Sequence, residues 1–411
     1  MEALACAADR LRLDLHGDHM TDRTILTDTS QGIWVDEFER TEQDIGYAGA
    51  SIRKRVLRGG LTDGVEVVEV DNGEFAYTIL PTRGMGIWRG KYRDLDVGWQ
   101  APVPGPVHPS FVNLQDRGGL GWLTGFDEAI VRCGLDNNGA PTTDVVPNNM
   151  GVPSEVELTL HGRIANIPAC RVEVRIEAGE VPTIVVSGDV KEAALFYPGF
   201  RLHTEISTRC GSNAFTIVDT VTNLKAIDAE FELLYHCNFG PPFLEAGSQL
   251  DMPARFVAPR DEGAADGIGT YAEYLGPTDG YIEQVYWYEP LATDDGSTLS
   301  MLRNAAGDRG VVVRYNTLQM PCFSQWKNTA SVGDGYVTGL EPGTDHPNSK
   351  TFERQQGRLI SLRPDASHEI ELTIEVHDDA TGVQSIQQEI ATIQGDTELK
   401  IHTQPLSHLS G

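Results

Sequence analysis

The chain is poor in basic residues and in cysteine, and it contains no long apolar run. Lys and Arg number 32 against 60 Asp and Glu, a formal charge of -28. A field of that sign repels phosphate backbones and anionic headgroups at long range, so neither nucleic acid nor a membrane surface is expected as a partner. The charge serves solubility and selects no other ligand by itself. No stretch approaches the ~20 apolar residues of a membrane span. The N-terminal MEALACAADRLRLDLHG has no basic leader, and Asp9 and Arg10 break it before a signal-like apolar run can form. The six cysteines (Cys6, Cys133, Cys170, Cys210, Cys237 and Cys322) are scattered without a CxxC pair. That spacing argues against a zinc site or a disulfide scaffold and for a reduced, cytoplasmic protein.

What is present is β-structure. Runs such as FAYTILPTRG, CRVEVRIEAGE, TIVVSGDVKE, FTIVDTVTNL, FELLYHCNF, GVVVRYN and HEIELTIEVHD recur between turn signals. Several alternate apolar and polar residues with period two, as Val172, Val174 and Ile176 do, which is the pattern of a strand with one wet face. With 43 glycines and 22 prolines punctuating these runs, the expected fold is all-β, a large antiparallel sandwich or barrel. One helix is expected near the end. In TGVQSIQQEIATIQG, Val383, Ile386, Ile390 and Ile393 form a single stripe and Gly395 stands where the helix should stop. The stretches 100–110 and 258–269 read as loops, neither biased enough to link independent domains.

Four places set chemically able side chains beside turns. Arg83 in LPTRGMG follows a strand between a proline and a glycine, where its planar fork of donors suits a ligand oxygen or a hairpin surface equally. His161 precedes Gly162 and Arg163 in LTLHGRIANIPA, and the glycine would let a ligand approach closely. Upstream, Asn137 and Asn138 in RCGLDNNGAP have amides suited to sugar hydroxyls, and Asn-Gly is also a turn signal. In LYHCNFGPPF, alternation puts Tyr235, Cys237 and Phe239 on one face and His236 and Asn238 on the other. That pair is either a polar spot in a pocket or merely solvated. In VTGLEPGTDHPNSK, Glu341 ends a strand where partial burial would raise its carboxyl toward the range of a general base. Asp345, His346 and Asn348 read as turn formers there.

Taken in order, LHG at 160–162, YHCNFG at 235–240 and LEPGTDHPN at 340–348 resemble the aldose 1-epimerase (galactose mutarotase) superfamily. HGRIANIPACRVEV is similar to the His-Gly-x-x-Arg pattern of its hexose-phosphate branch. The whole set, with LPTRGM and CGLDNNG, looks closest to a bacterial branch described as a domain of unknown function. The resemblance covers roughly residues 60 to 380. It implies a β-supersandwich over 60–411, with 1–59 as an N-terminal extension packed on it, a sugar in the concave face and no cofactor or metal. It also implies Glu341 as catalytic base and His236 as catalytic acid. Substrate would be bound by His161, Arg83, Arg163, Asn238 and Asn137, with Trp326 stacking on the sugar face, as Trp88 or Trp122 also could. The departures are Tyr235 before the histidine, Arg163 where a second glycine is usual, and Asp279 as the one candidate for the substrate-binding aspartate.

The chemistry has its own logic. An anomer changes when a base takes the proton of the anomeric hydroxyl while an acid protonates the ring oxygen, so the ring opens, rotates and recloses. That calls for a carboxylate and an imidazole, expected on opposite sides of a small pocket, each giving ~10² to 10⁴ in rate. The same groups would suit a keto-sugar isomerase or lyase, with a metal gripped by His161, His203, His236 and a carboxylate, or a sandwich that binds sugar without turnover. Arg83 and Arg163 would suit an anionic sugar, which the field of the chain opposes steering in. The expected protein is a monomer or homodimer acting on a small sugar.

Overall fold

A computed structural model describes residues 21–411, and Cys6 lies outside them. The alternating runs become strands of two large sheets packed face to face. The ten-stranded sheet includes Arg171–Glu177, Thr183–Ala193, Gly199–Arg209, Ala214–Asn223 and Ser367–His377 as antiparallel neighbours. The fourteen-stranded sheet carries, side by side, Gln284–Pro290, Cys322–Asn328, Val337–Gly343, Ala229–Phe239 and Ile130–Leu135. Among the described residues, the strands pair antiparallel except where Phe256 and Val257 meet Lys400 and Ile401, and an isolated parallel bridge joins Gly134 to Gly162. This is the all-β supersandwich expected.

Val172, Val174 and Ile176 point inward from the smaller sheet, and Tyr235, Cys237, Phe239 and Leu340 meet them from the larger one. The period-two pattern thereby fills the space between the layers with apolar side chains. Residues 21–59 are woven into both sheets. Thr21–Asp28 pairs with Arg171–Glu177, while Phe38–Arg40 and Ala50–Val56 extend the fourteen-stranded sheet.

The helix near the end spans Ala380–Gln394, capped by the Asp379 side chain, which accepts from the Gly382 N–H. Its buried Val383, Ile386 and Ile390 lie on Leu299, Met301 and Val312 of the ten-stranded sheet. Within 258–269, expected as loop, Asp261 caps a short helix, Glu262–Asp266, whose Ala264 joins the core. The five cysteines among the described residues are free thiols. No helix among the described residues is long and apolar enough to cross a membrane.

Candidate active site

Three neighbouring strands of the large sheet turn their outer face toward one spot. His236 comes from Ala229–Phe239 and Glu341 from Val337–Gly343. Ser324 stands opposite Glu341 in the register of Cys322–Asn328, and Trp326 stands opposite Gly339. Residues directly opposite in a ladder share a face, so all of these project together. His236 Nε2 lies 3.1 Å from Glu341 Oε1. Both side chains are nearly closed off, with 5% of His236 and 3% of Glu341 exposed. The two lie side by side rather than across a pocket, which corrects the expected arrangement. Gly339 is what lets them meet. A Cβ there would collide with Glu341 Oε1 and stand 3.0 Å from His236 Cε1.

His161 arrives from a loop in a left-handed backbone conformation (φ 57°), held by its N–H donating to Gly139 O and its carbonyl accepting from Gly134 N–H. The next residue must be glycine, because a Cβ on Gly162 would enter the Gly134 and Asn137 carbonyls. The His161 ring centre lies 5.6 Å from that of His236. Its Nδ1–H donates to the Asn138 carbonyl at 2.7 Å, which leaves Nε2 as the lone-pair nitrogen. Aromatic rings close the remaining sides. Trp122 is 4.6 Å from His161, Phe126 is 5.1 Å from His236 and Trp326 is 5.3 Å from His236. His161 and Trp326 keep partial exposure, so the open side of the pair is theirs.

Burial dominates the electrostatics. It pushes the His236 imidazole down to about 3, assisted by His161, and the His161 imidazole down to about 4. It also drives the Glu341 carboxyl well above the usual carboxylate range, with exposed Glu283 adding to the rise. Three polar atoms here have no protein partner: Glu341 Oε1, Ser324 Oγ and Trp122 Nε1. A carboxyl oxygen, a hydroxyl and an indole N–H are what a polyhydroxylated ligand would satisfy.

The other expected ligands serve differently. Arg83 is buried and spends four of its five N–H donors inside the protein: its Nε donates to Glu128 at 2.5 Å, its Nη1 to Val107 O and Asn166, and its Nη2 to Gly125 O. It clamps the segment that carries Trp122 and Phe126, and at 1% exposure it is walled off from a sugar. Arg163 is half-exposed and leans toward Glu192 at 3.6 Å. Asn137 donates to Thr159 O, which is its turn role, and Asn138 donates to Asp345. Asn238 spends its amide on Glu128 O and His236 O, and its Oδ1 faces His236 Nδ1 at 2.6 Å. Trp326 lies at the site as expected, with its indole N–H donating to Glu283 at 2.7 Å. Trp88 packs with Val65, Val67 and Leu80 in a separate cluster, and Asp279 is an exposed loop residue.

His203 lies on the ten-stranded sheet beside Asp189, so the four-ligand metal grip does not assemble. Among the described residues, no group of three or more His, Cys, Asp or Glu is arranged to hold a metal ion. Glu283, Ser324 and Phe126 escaped the sequence reading. Ser324 was within reach, since alternation from Trp326 puts it on the same face, whereas Glu283 arrives on a loop without periodicity.

The fold and the constellation define a galactose mutarotase-like supersandwich with a buried His–Glu pair. A family model described as "Domain of unknown function (DUF4432)" matches residues 62–376, and the chain belongs to that family. Among solved structures, it is similar to a candidate aldose 1-epimerase from Klebsiella pneumoniae, with 34% identity and a TM-score of 0.88, covering 94% of this chain and 100% of that one. A galactose mutarotase-like protein from Clostridium acetobutylicum shares the fold at 14% identity and a TM-score of 0.53, covering 80% of this chain and 98% of that one. A galactose mutarotase related enzyme from Lactobacillus acidophilus does so at 13% identity and a TM-score of 0.50, covering 76% and 98%. No curated protein matches the chain.

Proposed function

We propose that this protein interconverts the anomers of an aldose or a close aldose derivative, with Glu341 and His236 as its two proton carriers. The observation that carries the reading is their contact at 3.1 Å on one face of the sheet, beneath partly exposed His161 and Trp326. The anomeric hydroxyl oxygen and the ring oxygen are bonded to the same carbon. Two proton carriers standing side by side can therefore address both at once, one taking a proton as the other gives one. The name of the Klebsiella pneumoniae relative supports the same class of isomerase.

In this reading Trp326 stacks on the sugar face, while His161 Nε2, Ser324 Oγ and Trp122 Nε1 meet its hydroxyls. The sugar is uncharged. Arg83 is buried and paired with Glu128, Arg163 leans away toward Glu192, and the acid beside Trp326 is Glu283. One-dimensional NMR saturation exchange between anomers, run over a panel of aldoses, tests the proposal. Wild type should exchange at least one aldose, and Glu341→Gln and His236→Ala should each lose ~10² to 10⁴ of the rate. Equal exchange in all three proteins rejects it.

A further inference from the structure

Asp345 and Asn348 read as turn formers in the sequence, and in the structure both are buried and hold another part of the chain. Asp345 stands four residues beyond Glu341. Its Oδ1 accepts from the Thr344 hydroxyl at 3.0 Å and from the Asn138 amide at 2.8 Å. Thr344 is locked in its turn, since its hydroxyl accepts from the Leu233 N–H at 3.0 Å and its own N–H donates to Leu233 O at 2.8 Å. The carboxyl is thereby fixed against Ala229–Phe239, the strand that carries His236.

What this segment holds is the seat of His161. The Asn138 carbonyl accepts from His161 Nδ1–H at 2.7 Å, and the Gly139 carbonyl accepts from the His161 backbone N–H at 3.0 Å. Gly139 is pressed so closely on the segment that a Cβ there would enter the Asn348 carbonyl. Asn348 is itself anchored, donating to Glu353 at 2.7 Å and to Leu409 O at 2.9 Å. A carbonyl can only accept, so the Asn138 contact sets both the direction of the His161 ring and the nitrogen that carries its hydrogen.

We propose that Asp345 is a positioning residue for His161, acting through Asn138. One run of chain, 337–348, then supplies Glu341 near one end and the support of His161 at the other. This holds the His161 ring centre 5.6 Å from that of His236 and leaves Nε2 for a sugar hydroxyl. The consequence for rate rests on the proposed anomer exchange, and the geometry does not.

Asn138 is wholly buried, and its amide nitrogen donates to Asp345. Without that acceptor no solvent reaches the amide to replace it, and the residue whose carbonyl steers His161 loses its side-chain anchor. Facing Asp345 is Glu232, buried with both carboxyl oxygens unpartnered. Asp345→Asn therefore keeps an acceptor for Asn138 and can turn its new N–H toward Glu232, whereas Asp345→Ala removes the acceptor altogether.

Anomer exchange in single and double variants separates positioning from packing. Asp345→Ala should lower exchange roughly 10-fold, as His161→Gln does, while Asp345→Asn should stay within about 2-fold of wild type. In a His161→Gln background, Asp345→Ala should cost less than about 2-fold more, because residues that act through one group are not additive. An undiminished further loss in that background, or an equal loss in Asp345→Asn, overturns the proposal.

Long-range ¹H–¹⁵N correlation on the full chain labelled in histidine reads the same contact without a sugar. The His161 signal, identified by its loss in His161→Gln, should show a neutral ring protonated at Nδ1 in wild type and in Asp345→Asn. In Asp345→Ala the ring should sample both tautomers, and its Nδ1–H should exchange with solvent at least ~10-fold faster. A wild-type ring protonated at Nε2 alone, or an unchanged signal in folded Asp345→Ala, overturns the inference. Should Asp345→Ala fail to fold, Asn138→Ala keeps the carbonyl, removes the amide and is expected to loosen the ring in the same way; an unchanged ring there overturns the inference too. Absence of exchange with every sugar rejects the proposed function, while the spectra still decide what seats His161.

Discussion

Tyr235 and His236 are consecutive residues on opposite faces of one buried strand, and their surroundings differ in kind. On the inner face, the Tyr235 hydroxyl donates to Asp219 at 2.5 Å, and Arg132 directs its donors to Asp219, Thr204, Gly84 O and Met85 O. Arg132 and Asp219 belong to different sheets, so this node ties the two layers together. On the outer face, Glu341 Oε1, Ser324 Oγ and Trp122 Nε1 are left unpartnered. Buried polar groups that satisfy one another hold a fold, and buried polar groups that do not are available to a ligand.

The largest expected effect separates the faces by stability. Arg132→Ala strands the Asp219 carboxylate and should cost about 3–5 kcal/mol in denaturant unfolding. Glu341→Gln should cost at most about 1 kcal/mol near neutral pH. Comparable losses from the two would erase the distinction.

The pH dependence of that second variant sharpens it. The folded Glu341 carboxyl titrates above its unfolded value, so its contribution is whole below the unfolded pKa and fades as pH rises through the folded one. Glutamine cannot ionise. Glu341→Gln should therefore gain on wild type in unfolding midpoint as pH rises, whereas a constant difference would mean the carboxyl is not raised.

Gly339→Ala should be next, costing about 1–3 kcal/mol by overpacking and lowering exchange more than His161→Gln does, because it parts the pair itself. His161→Gln should reduce exchange by roughly 10-fold, an effect read in rate with unfolding nearly unchanged. Arg163→Ala, half-exposed and unconnected to the pair, should stay within about 0.5 kcal/mol and leave exchange alone. A large loss of exchange there would return Arg163 to the site.

Much of this was legible in the residues. Alternation placed His236 and Asn238 on one face with Tyr235 and Cys237 on the other, and the inner set is core. The stripe from Val383 to Ile390, with Gly395 behind it, gave the helix its place and its packing face. Arg83 was misread because an arginine beside a glycine turn looks free until the loops around Val107 and Gly125 are folded over it and accept from it. Asn238 was misread as a ligand for the same reason, since its partners include a carbonyl 110 residues away in sequence.

The sequence by itself determined the all-β class, the face each strand presents and the residue types able to move protons, because these follow from period-two alternation and side-chain chemistry. Only the tertiary structure decided which of those groups meet and which spend their donors elsewhere. A hydrogen-bond partner, and the burial that sets where a proton rests, come from segments far apart along the chain that meet only when the sheets close over the core.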